Sequence, residues 1–103
     1  MTVKSAPYKA LPDCLHVKDS PVAGQGLFAK QDIPDDVYLG ISHVVVDEEI
    51  MRTPLGGFVN HSEDPNCVKV FEEEEWGKIY HMRTIKSIKK GEELFLKYTF
   101  YEV

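Results

Sequence analysis

An asparagine and a histidine, Asn60 and His61, stand side by side at the end of the run GGFVNH, residues 56–61. The apolar pair before them favours burial, and the polar stretch over residues 62–66 turns the chain directly afterwards. A polar side chain that leaves water must find hydrogen-bond partners inside the fold. The position of this pair therefore raises the question of which polar group it meets.

A second candidate is the stretch Gly24-Gln25-Gly26. Two glycines around one residue allow positive φ angles and let a ligand approach the backbone closely. Because neither a helical pattern nor a third glycine follows, a dinucleotide-binding turn of the Rossmann type is excluded. Taken alone, the stretch favours a tight hairpin turn.

The cysteine and histidine side chains were considered as metal ligands and nucleophiles. Their spacing contains no Cys-x-x-Cys and no His-x-x-x-His pattern, so we expect no metal site. Cys67 and Ser62 lie in no recognised nucleophile motif and beside no obvious base. The residues considered as ligands are Cys14, His16, His43, His61, Cys67 and His81.

The last aromatic residues are crowded, since four of them fall within residues 95–101. Aromatic side chains at this density more often build a core than a site. Tyr98 and Tyr101 nevertheless carry hydroxyl groups, which need hydrogen-bond partners wherever they are buried.

Composition and charge exclude several classes of protein. With 103 residues, 43% of them hydrophobic, the chain suffices for one core, and we expect a loose arm over residues 1–13 and a single domain over residues 14–103. The net charge of −5 argues against a nucleic-acid partner. No apolar run approaches the ~20 residues that span a membrane. Two cysteines give no disulfide framework, which favours a reduced, intracellular protein. The acidic run over residues 72–75 fits either a solvated turn or the steering of a basic peptide.

Short strands between turn signals must position these residues. A continuous apolar run over residues 43–46 predicts burial on both faces, whereas the alternation over residues 78–83 predicts one solvent-facing side. Residues 47–52 are read as a helical turn. The spacing leaves no room for βαβ crossovers, so we predict a mainly β fold of small antiparallel sheets. The strands are predicted over residues 14–18, 27–29, 37–46, 67–71, 78–84 and 94–97.

Three stretches, in order along the chain, resemble the motifs of the SET domain, the protein-lysine methyltransferase family. Residues 24–29 (GQGLFA) resemble its first motif, and residues 58–66 (FVNHSEDPN) resemble its Asn-His-Ser and Pro-Asn motif. Residues 91–98 (GEELFLKY) resemble its closing motif, and residues 33–36 resemble a turn that has glycine where Asp36 stands. The resemblance covers about residues 14–101 and implies a β-clip fold with a knot-like crossing near the C-terminus.

The resemblance also implies an S-adenosylmethionine site at that crossing. By position, Asn60 and His61 would contact the amino-acid and adenine portions of the cofactor. The backbone of Gly24, Gln25 and Gly26 would border the cofactor. Tyr98 would act as the catalytic residue, placing its hydroxyl near the methyl group that is transferred.

The implied reaction is attack of an uncharged lysine amine on a sulfonium methyl group, for which no metal is needed. Because a free lysine has a pKa near 10.4, keeping it neutral at pH 7 costs roughly 4.6 kcal/mol. A narrow aromatic channel lowers the lysine pKa by desolvation. The channel residues implied are Phe58, Tyr101, Phe100 and Tyr38, although an ungapped count from the first motif puts Ser42 in place of Tyr38.

The chain departs from the family pattern at Gly57, Glu63 and Lys97, and the insert that helps to bind the substrate peptide is cut to residues 47–56. Three alternatives therefore stay open. The first is a minimal lysine methyltransferase acting on a protein or peptide, of which a histone is one suggestion. The second is a SET-like module that binds the cofactor or a partner without efficient catalysis, and the third is a β-clip protein with an unrelated ligand. We also expect a symmetric homodimer that completes the channel, against a monomer covered by its own N-terminal arm.

Overall fold

The computed structural model describes residues 11–97. Within this range the strands form a hairpin β1-β2, a four-stranded antiparallel sheet in the order β4-β3-β7-β6, and a two-residue parallel pair β5-β8. The mainly β fold expected from the sequence is confirmed. The elements are β1 Leu15–Asp19, β2 Gln25–Ala29, β3 Tyr38–Val46, β4 Glu49–Arg52, α1 Pro54–Phe58, β5 Asn60–His61, β6 Cys67–Glu74, β7 Gly77–Thr84 and β8 Phe95–Leu96.

The four-stranded sheet is centred on β3 and β7, which pair over most of their length. On β7 the side chains of Tyr80, Met82 and Thr84 are buried and those between them are half-buried, so the predicted alternation is confirmed. The expected burial of residues 43–46 on both faces is wrong beyond His43, since the three valines that follow are only half-buried. The reason is that β4, the neighbouring edge strand, has exposed side chains throughout and covers little.

The predicted helical turn over residues 47–52 is also wrong. This segment is the β3-β4 hairpin, in which Val46 pairs with Glu49. Asp47 and Glu48 occupy the two turn positions with φ angles of 50° and 68°. Two successive positive φ angles match the right-handed twist of a two-residue hairpin, so pairing with β3 overrides the helical tendency of the acidic stretch.

A short helix, α1, follows where the sequence reading placed none. Thr53 is its N-cap, and its hydroxyl accepts a hydrogen bond from the backbone N–H of Gly56 at 3.3 Å. Pro54 stands at the start of the helix, where its fixed φ and missing N–H are tolerated. The dipeptide Thr53-Pro54 is thus a readable start signal, and α1 positions the Asn60-His61 pair two residues after its end.

The core lies where the hairpin, the four-stranded sheet, α1 and β8 meet. Leu11 packs against it, while residues 1–10 of the predicted N-terminal arm lie outside the described residues. No helix in residues 11–97 is long and apolar enough to cross a bilayer. The buried core residues are Leu15, Leu27, Ala29, Ile33, Leu39, Leu55, Val59, Cys67, Met82, Ile88, Leu94 and Leu96.

Candidate functional site

The side-chain amide of Asn60 lies where three distant segments of the chain meet. Its Nδ2 donates to Oε2 of Glu93 at 2.8 Å and to the backbone carbonyls of Ala23 at 3.1 Å and Gln25 at 3.3 Å. Its partners thus come from the loop and strand that contain the first motif and from the segment that contains the third. We call this meeting point, made of residues 20–26, Asn60 and Glu93, the junction.

Glu93 is a buried carboxylate within the junction, with 8% of its surface exposed. Its Oε1 accepts a hydrogen bond from the hydroxyl of Ser20 at 2.9 Å, while Oε2 accepts from Asn60. Its backbone bridges to Phe28 of β2. Both carboxylate oxygens are therefore satisfied, as a buried charge requires.

Gly26 makes the close approach of Glu93 possible. A Cβ placed on Gly26 would overlap the Glu93 carboxylate and would lie 3.0 Å from Nδ2 of Asn60. The other glycine of the motif, Gly24, has a φ of +47° and its carbonyl accepts from the N–H of Ser20 at 2.8 Å, closing the turn. The two glycines thus have different roles, Gly24 in the turn and Gly26 in the packing of the junction.

Parallel pairing of β5 with β8 brings the Asn-His motif beside the closing motif. Asn60 pairs with Phe95 and His61 with Leu96, and the N–H of Ser62 donates to the carbonyl of Leu96 at 2.9 Å. The described chain ends at Lys97, so Tyr98, Phe100 and Tyr101 lie outside the described residues. The structure thus brings the second and third motifs together up to the residue before the predicted catalytic tyrosine.

His61 lies at the exposed edge of this pair. Its Nε2 is 2.9 Å from Oε2 of Glu63, and Nζ of Lys97 is 3.4 Å from Oε1 of the same carboxylate. The hydrogen bond from His61, followed by that from Lys97, lowers the pKa of Glu63. Glu63 and Lys97 are two positions at which the sequence departs from the family pattern, and the structure shows that they pair with each other.

Asn66 holds the closing segment from the other side. Its Oδ1 accepts from the N–H of Phe95 at 2.8 Å, and its Nδ2 donates to the carbonyl of Glu93 at 2.9 Å. Sequence reasoning included Asn66 and Glu93 in motifs but assigned neither a role, and it did not single out Ser20. The signal that could have found Glu93 is its position directly before Leu94 in GEEL, at the start of a strand-like segment whose side chains are expected to be buried.

Two candidates for the substrate channel, Phe58 and Tyr38, lie within the described residues. Phe58 is the last residue of α1 and is 36% exposed. Tyr38 begins β3, and its hydroxyl is 2.8 Å from Nδ1 of His81, whose Nε2 is 3.0 Å from Oε1 of Glu72. Arg83 stacks over the Tyr38 ring with 5.8 Å from Cζ to the centroid. The contacts of Tyr38 therefore belong to the four-stranded sheet and not to the junction.

The remaining candidates for chemistry have structural surroundings. Burial raises the pKa of the Cys67 thiol to about 12, which removes the thiolate needed for nucleophilic attack at neutral pH. Cys14 and Cys67 are both free. Among residues 11–97, no group of three or more His, Cys, Asp or Glu side chains could hold a metal ion.

Two cavities accompany these features. One, of about 350 Å³, borders the junction and is lined by residues that include Asn66, Glu93 and Phe95. A larger one, of about 550 Å³, lies at the far end of the four-stranded sheet between the β3-β4 and β6-β7 hairpins, where Ile50 and Trp76 are among its lining residues. The larger cavity contains none of the motif residues, so we place the candidate site at the junction.

Comparison with known proteins identifies the class. The SET domain family model matches residues 38–99, more than half of the chain, and the chain therefore belongs to the SET-domain family. This confirms the resemblance drawn from the three motifs, although the first motif lies outside the matched range.

Individual relatives agree with this assignment. The chain is 30% identical over 114 residues to histone-lysine N-methyltransferase SETD7 of Halocynthia roretzi, in an alignment that takes in 78% of this chain and 30% of that protein. The chain thus spans less than a third of that relative's length. A crystal structure of a candidate histone methyltransferase from Plasmodium falciparum superposes with a TM-score of 0.70 at 18% identity, covering 85% of this chain and 95% of that one. At this identity the superposition shows a shared fold.

Proposed function

We propose that this protein transfers the methyl group of S-adenosylmethionine to the side-chain amine of a lysine in a protein or peptide. Membership of the SET family supports methyl transfer to lysine at the level of the family. The observation that carries the proposal for this chain is the junction, where Asn60, the Gly24–Gly26 backbone and the segment leading to Tyr98 converge.

The residues at the junction fit the proposed cofactor. Bound S-adenosylmethionine supplies a methyl group on a positively charged sulfur, next to a charged amino-acid portion. The backbone carbonyls of Ala23 and Gln25 and the Asn60 amide give this region hydrogen-bonding groups for the charged amino-acid portion, and the buried carboxylate of Glu93 adds negative charge nearby. Asn60 and His61 would hold the amino-acid and adenine portions, as the resemblance implies.

Tyr98 is the residue proposed to act on the reacting atoms. It follows Lys97 directly, and Lys97 pairs with Glu63 close to the Asn60-His61 motif. A hydroxyl there would accept hydrogen bonds from the substrate amine and hold its lone pair in line with the transferred methyl group. Alignment of this kind supplies much of the rate enhancement in a displacement between two bound reactants.

The proposed substrate is a basic protein segment, with a histone tail as the first to test. The relative from Halocynthia roretzi is named a histone-lysine N-methyltransferase. The net charge of −5 favours attraction of a lysine-rich segment at long range. This attraction acts before specific contacts form, so it supports the class of substrate and not one lysine in it.

The test is a calorimetric titration with S-adenosylmethionine, followed by mass analysis of lysine peptides from histone tails. The wild type should bind the cofactor. It should add about 14 mass units to a peptide for each methyl group transferred, because CH₃ replaces H. A peptide with arginine in place of lysine is the matched control and should stay unmodified. Tyr98→Phe should lower transfer by roughly 100-fold while leaving the cofactor dissociation constant almost unchanged. Equal loss of both would assign Tyr98 a structural role.

A second candidate, a SET-like binding module without efficient catalysis, is favoured by one observation. The family insert that helps to bind the peptide is reduced here to the β3-β4 hairpin and α1, and all four side chains of β4 are exposed. Cofactor binding with no mass change in any lysine peptide would select this candidate over the enzyme.

A further inference from the structure

The orientation of the Asn60 side-chain amide is set by its surroundings. Three oxygens, from Glu93, Ala23 and Gln25, lie within 3.3 Å of one terminal atom of this amide. Only the nitrogen can donate to these acceptors, with its two N–H groups shared among the three oxygens, so this atom is Nδ2. The oxygen Oδ1 is therefore the terminal atom that does not contact these three oxygens, and it is the acceptor of the amide.

Glu93 is the only side chain among these three acceptors on Asn60. An ionised carboxylate accepts hydrogen bonds and cannot donate them, so it can pair with the nitrogen of Asn60 but not with its oxygen. The hydrogen bond is short, at 2.8 Å, and a charged acceptor strengthens it relative to the two carbonyls. Ser20 holds the other carboxylate oxygen at 2.9 Å, which prevents the Glu93 side chain from rotating away.

The close packing around Glu93 adds to this constraint. Gly26 lies so close to Oε2 that any side chain there would displace the carboxylate. The backbone of Glu93 is fixed as well, by its bridge to Phe28 and by the hydrogen bond from Asn66 to its carbonyl. Glu93 is thus held through its backbone and through both carboxylate oxygens, which limits the orientations open to the Asn60 amide.

We propose that Glu93 is a positioning residue of the cofactor site, whose carboxylate fixes the Asn60 amide so that Oδ1 accepts a hydrogen bond from the ammonium group of the cofactor's amino-acid portion. This inference rests on the proposed function, because it takes S-adenosylmethionine as the ligand. Glu93 itself acts through Asn60 and need not touch the cofactor.

Two ligands separate this role from general support of the fold. S-adenosylhomocysteine keeps the amino-acid portion, whereas methylthioadenosine lacks it and keeps the adenosine and the thioether. Glu93→Ala should weaken S-adenosylhomocysteine binding by about tenfold, the usual effect of losing one buried polar partner. The same variant should bind methylthioadenosine within about twofold of the wild type, since that ligand has no ammonium group for Asn60 to recognise.

Glu93→Gln is the conservative variant. Its amide oxygen can still accept from Asn60, so it should bind S-adenosylhomocysteine within about threefold of the wild type. A loss with Glu93→Gln as large as with Glu93→Ala would show that the charge contacts the ligand directly and would overturn the positioning role.

Ser20→Ala, which frees the carboxylate without removing it, is the second variant if Glu93→Ala does not fold. It should give a smaller loss with the same ligand dependence, and a loss shared by both ligands would overturn the proposal.

A double-mutant cycle completes the experiment. If Glu93 acts through Asn60, adding Glu93→Ala to Asn60→Ala should change S-adenosylhomocysteine binding by less than about twofold further. Additive losses would mean independent roles and would overturn the inference. A wild type that does not bind S-adenosylhomocysteine would overturn the inference together with the cofactor assignment. Cofactor binding without lysine methylation would remove only the proposed enzymatic function.

Discussion

The four-stranded sheet and the junction hold the chain together by different means. In the sheet, β3 and β6 both pair with β7 through a long ladder of backbone hydrogen bonds. In the junction, a few side-chain bonds connect segments more than 30 positions apart in the sequence. Loss of one contact in a ladder leaves its neighbours in place, whereas Asn60 and Glu93 each hold several partners at once. The molecule therefore combines a tolerant scaffold with a site that depends on individual atoms.

The two regions also differ in the size of their cavities and in the exposure of their acidic side chains. The cavity between the hairpin tips is the larger of the two described above, and acidic side chains of residues 73–75 line it in an exposed setting. At the junction the carboxylate of Glu93 is buried and fully paired. Residues 72–74 of the acidic run lie in strand β6 and only Glu75 lies in the turn, so the run is exposed to solvent as expected but is mostly strand. Convergence of distant polar groups marks the candidate site better than cavity volume does.

The largest effect is expected at His43, a polar side chain that is buried in the four-stranded sheet. This side chain is fully buried on β3, and burial, followed by the charges of Arg52 and Lys69, lowers its pKa from 6.5 to about 4. The unfolded chain therefore binds a proton more readily than the folded one between these values, and stability should fall by about 3 kcal/mol as the pH drops from 6.5 to 4. Denaturant unfolding of the wild type and of His43→Gln across this range measures the effect. The carboxylates titrate in both proteins, so equal pH profiles would contradict the assignment.

Gly26→Ala should break the junction while leaving the sheet intact. The new methyl group would displace the Glu93 carboxylate, and overpacking of this kind costs about 1–3 kcal/mol. Cofactor affinity should fall with it, because the Asn60 amide loses its side-chain acceptor. Gly57→Ala is the matched control, since its Cβ would meet nothing within 4 Å and alanine favours the helix. Thermal unfolding and calorimetry on both variants decide, and equal stability of the two would refute the packing role of Gly26.

A mutation on the exposed edge strand β4 tests whether the expected homodimer forms at this edge of the sheet. Ile50 and Met51 on β4 are 41% and 50% exposed, in the region where an interface is expected to complete the channel. Met51→Glu should raise the dimer dissociation constant about tenfold, or ~1.4 kcal/mol. Ile85→Glu, an equally large charge change at a residue outside the sheet, is the control and should leave the dimer intact. Light scattering measures both, and a wild-type mass at the single chain's 11.7 kDa would exclude the dimer.

The smallest effect concerns a turn outside both regions. Asp36 has a φ of +59°, the conformation for which the family pattern has glycine at this position. Asp36→Gly would relieve about 1 kcal/mol of backbone strain and would lose the exposed ion pair with Arg83, which contributes about 0–1 kcal/mol. We expect a net gain in unfolding free energy of less than about 1 kcal/mol. Denaturant unfolding checks this, with Asp35→Gly as a control that should destabilise or be neutral.

Local sequence determined the parts of this protein that short-range physics controls. Strands with β-branched and alternating residues, the turns between them and the three motifs could all be read from neighbouring residues, because periodicity and φ preferences act over a few positions. Thr53-Pro54 also carried a readable helix start. The hairpin over residues 47–52 could not be read in this way, because its turn residues are not glycines and its pairing with β3 decided the outcome.

Tertiary structure alone decided what Asn60 meets. Its partners Ala23 and Glu93 are 37 and 33 positions away, and no local pattern states that their oxygens converge on one amide nitrogen. The pairing of Glu63 with Lys97 was equally hidden, although each had been noticed as a departure from the family pattern. Such contacts depend on how the hairpin, β5 and β8 pack around a shared core. The sequence alone therefore indicated the family and the residues of interest, and only packing at long range showed which atoms hold them in place.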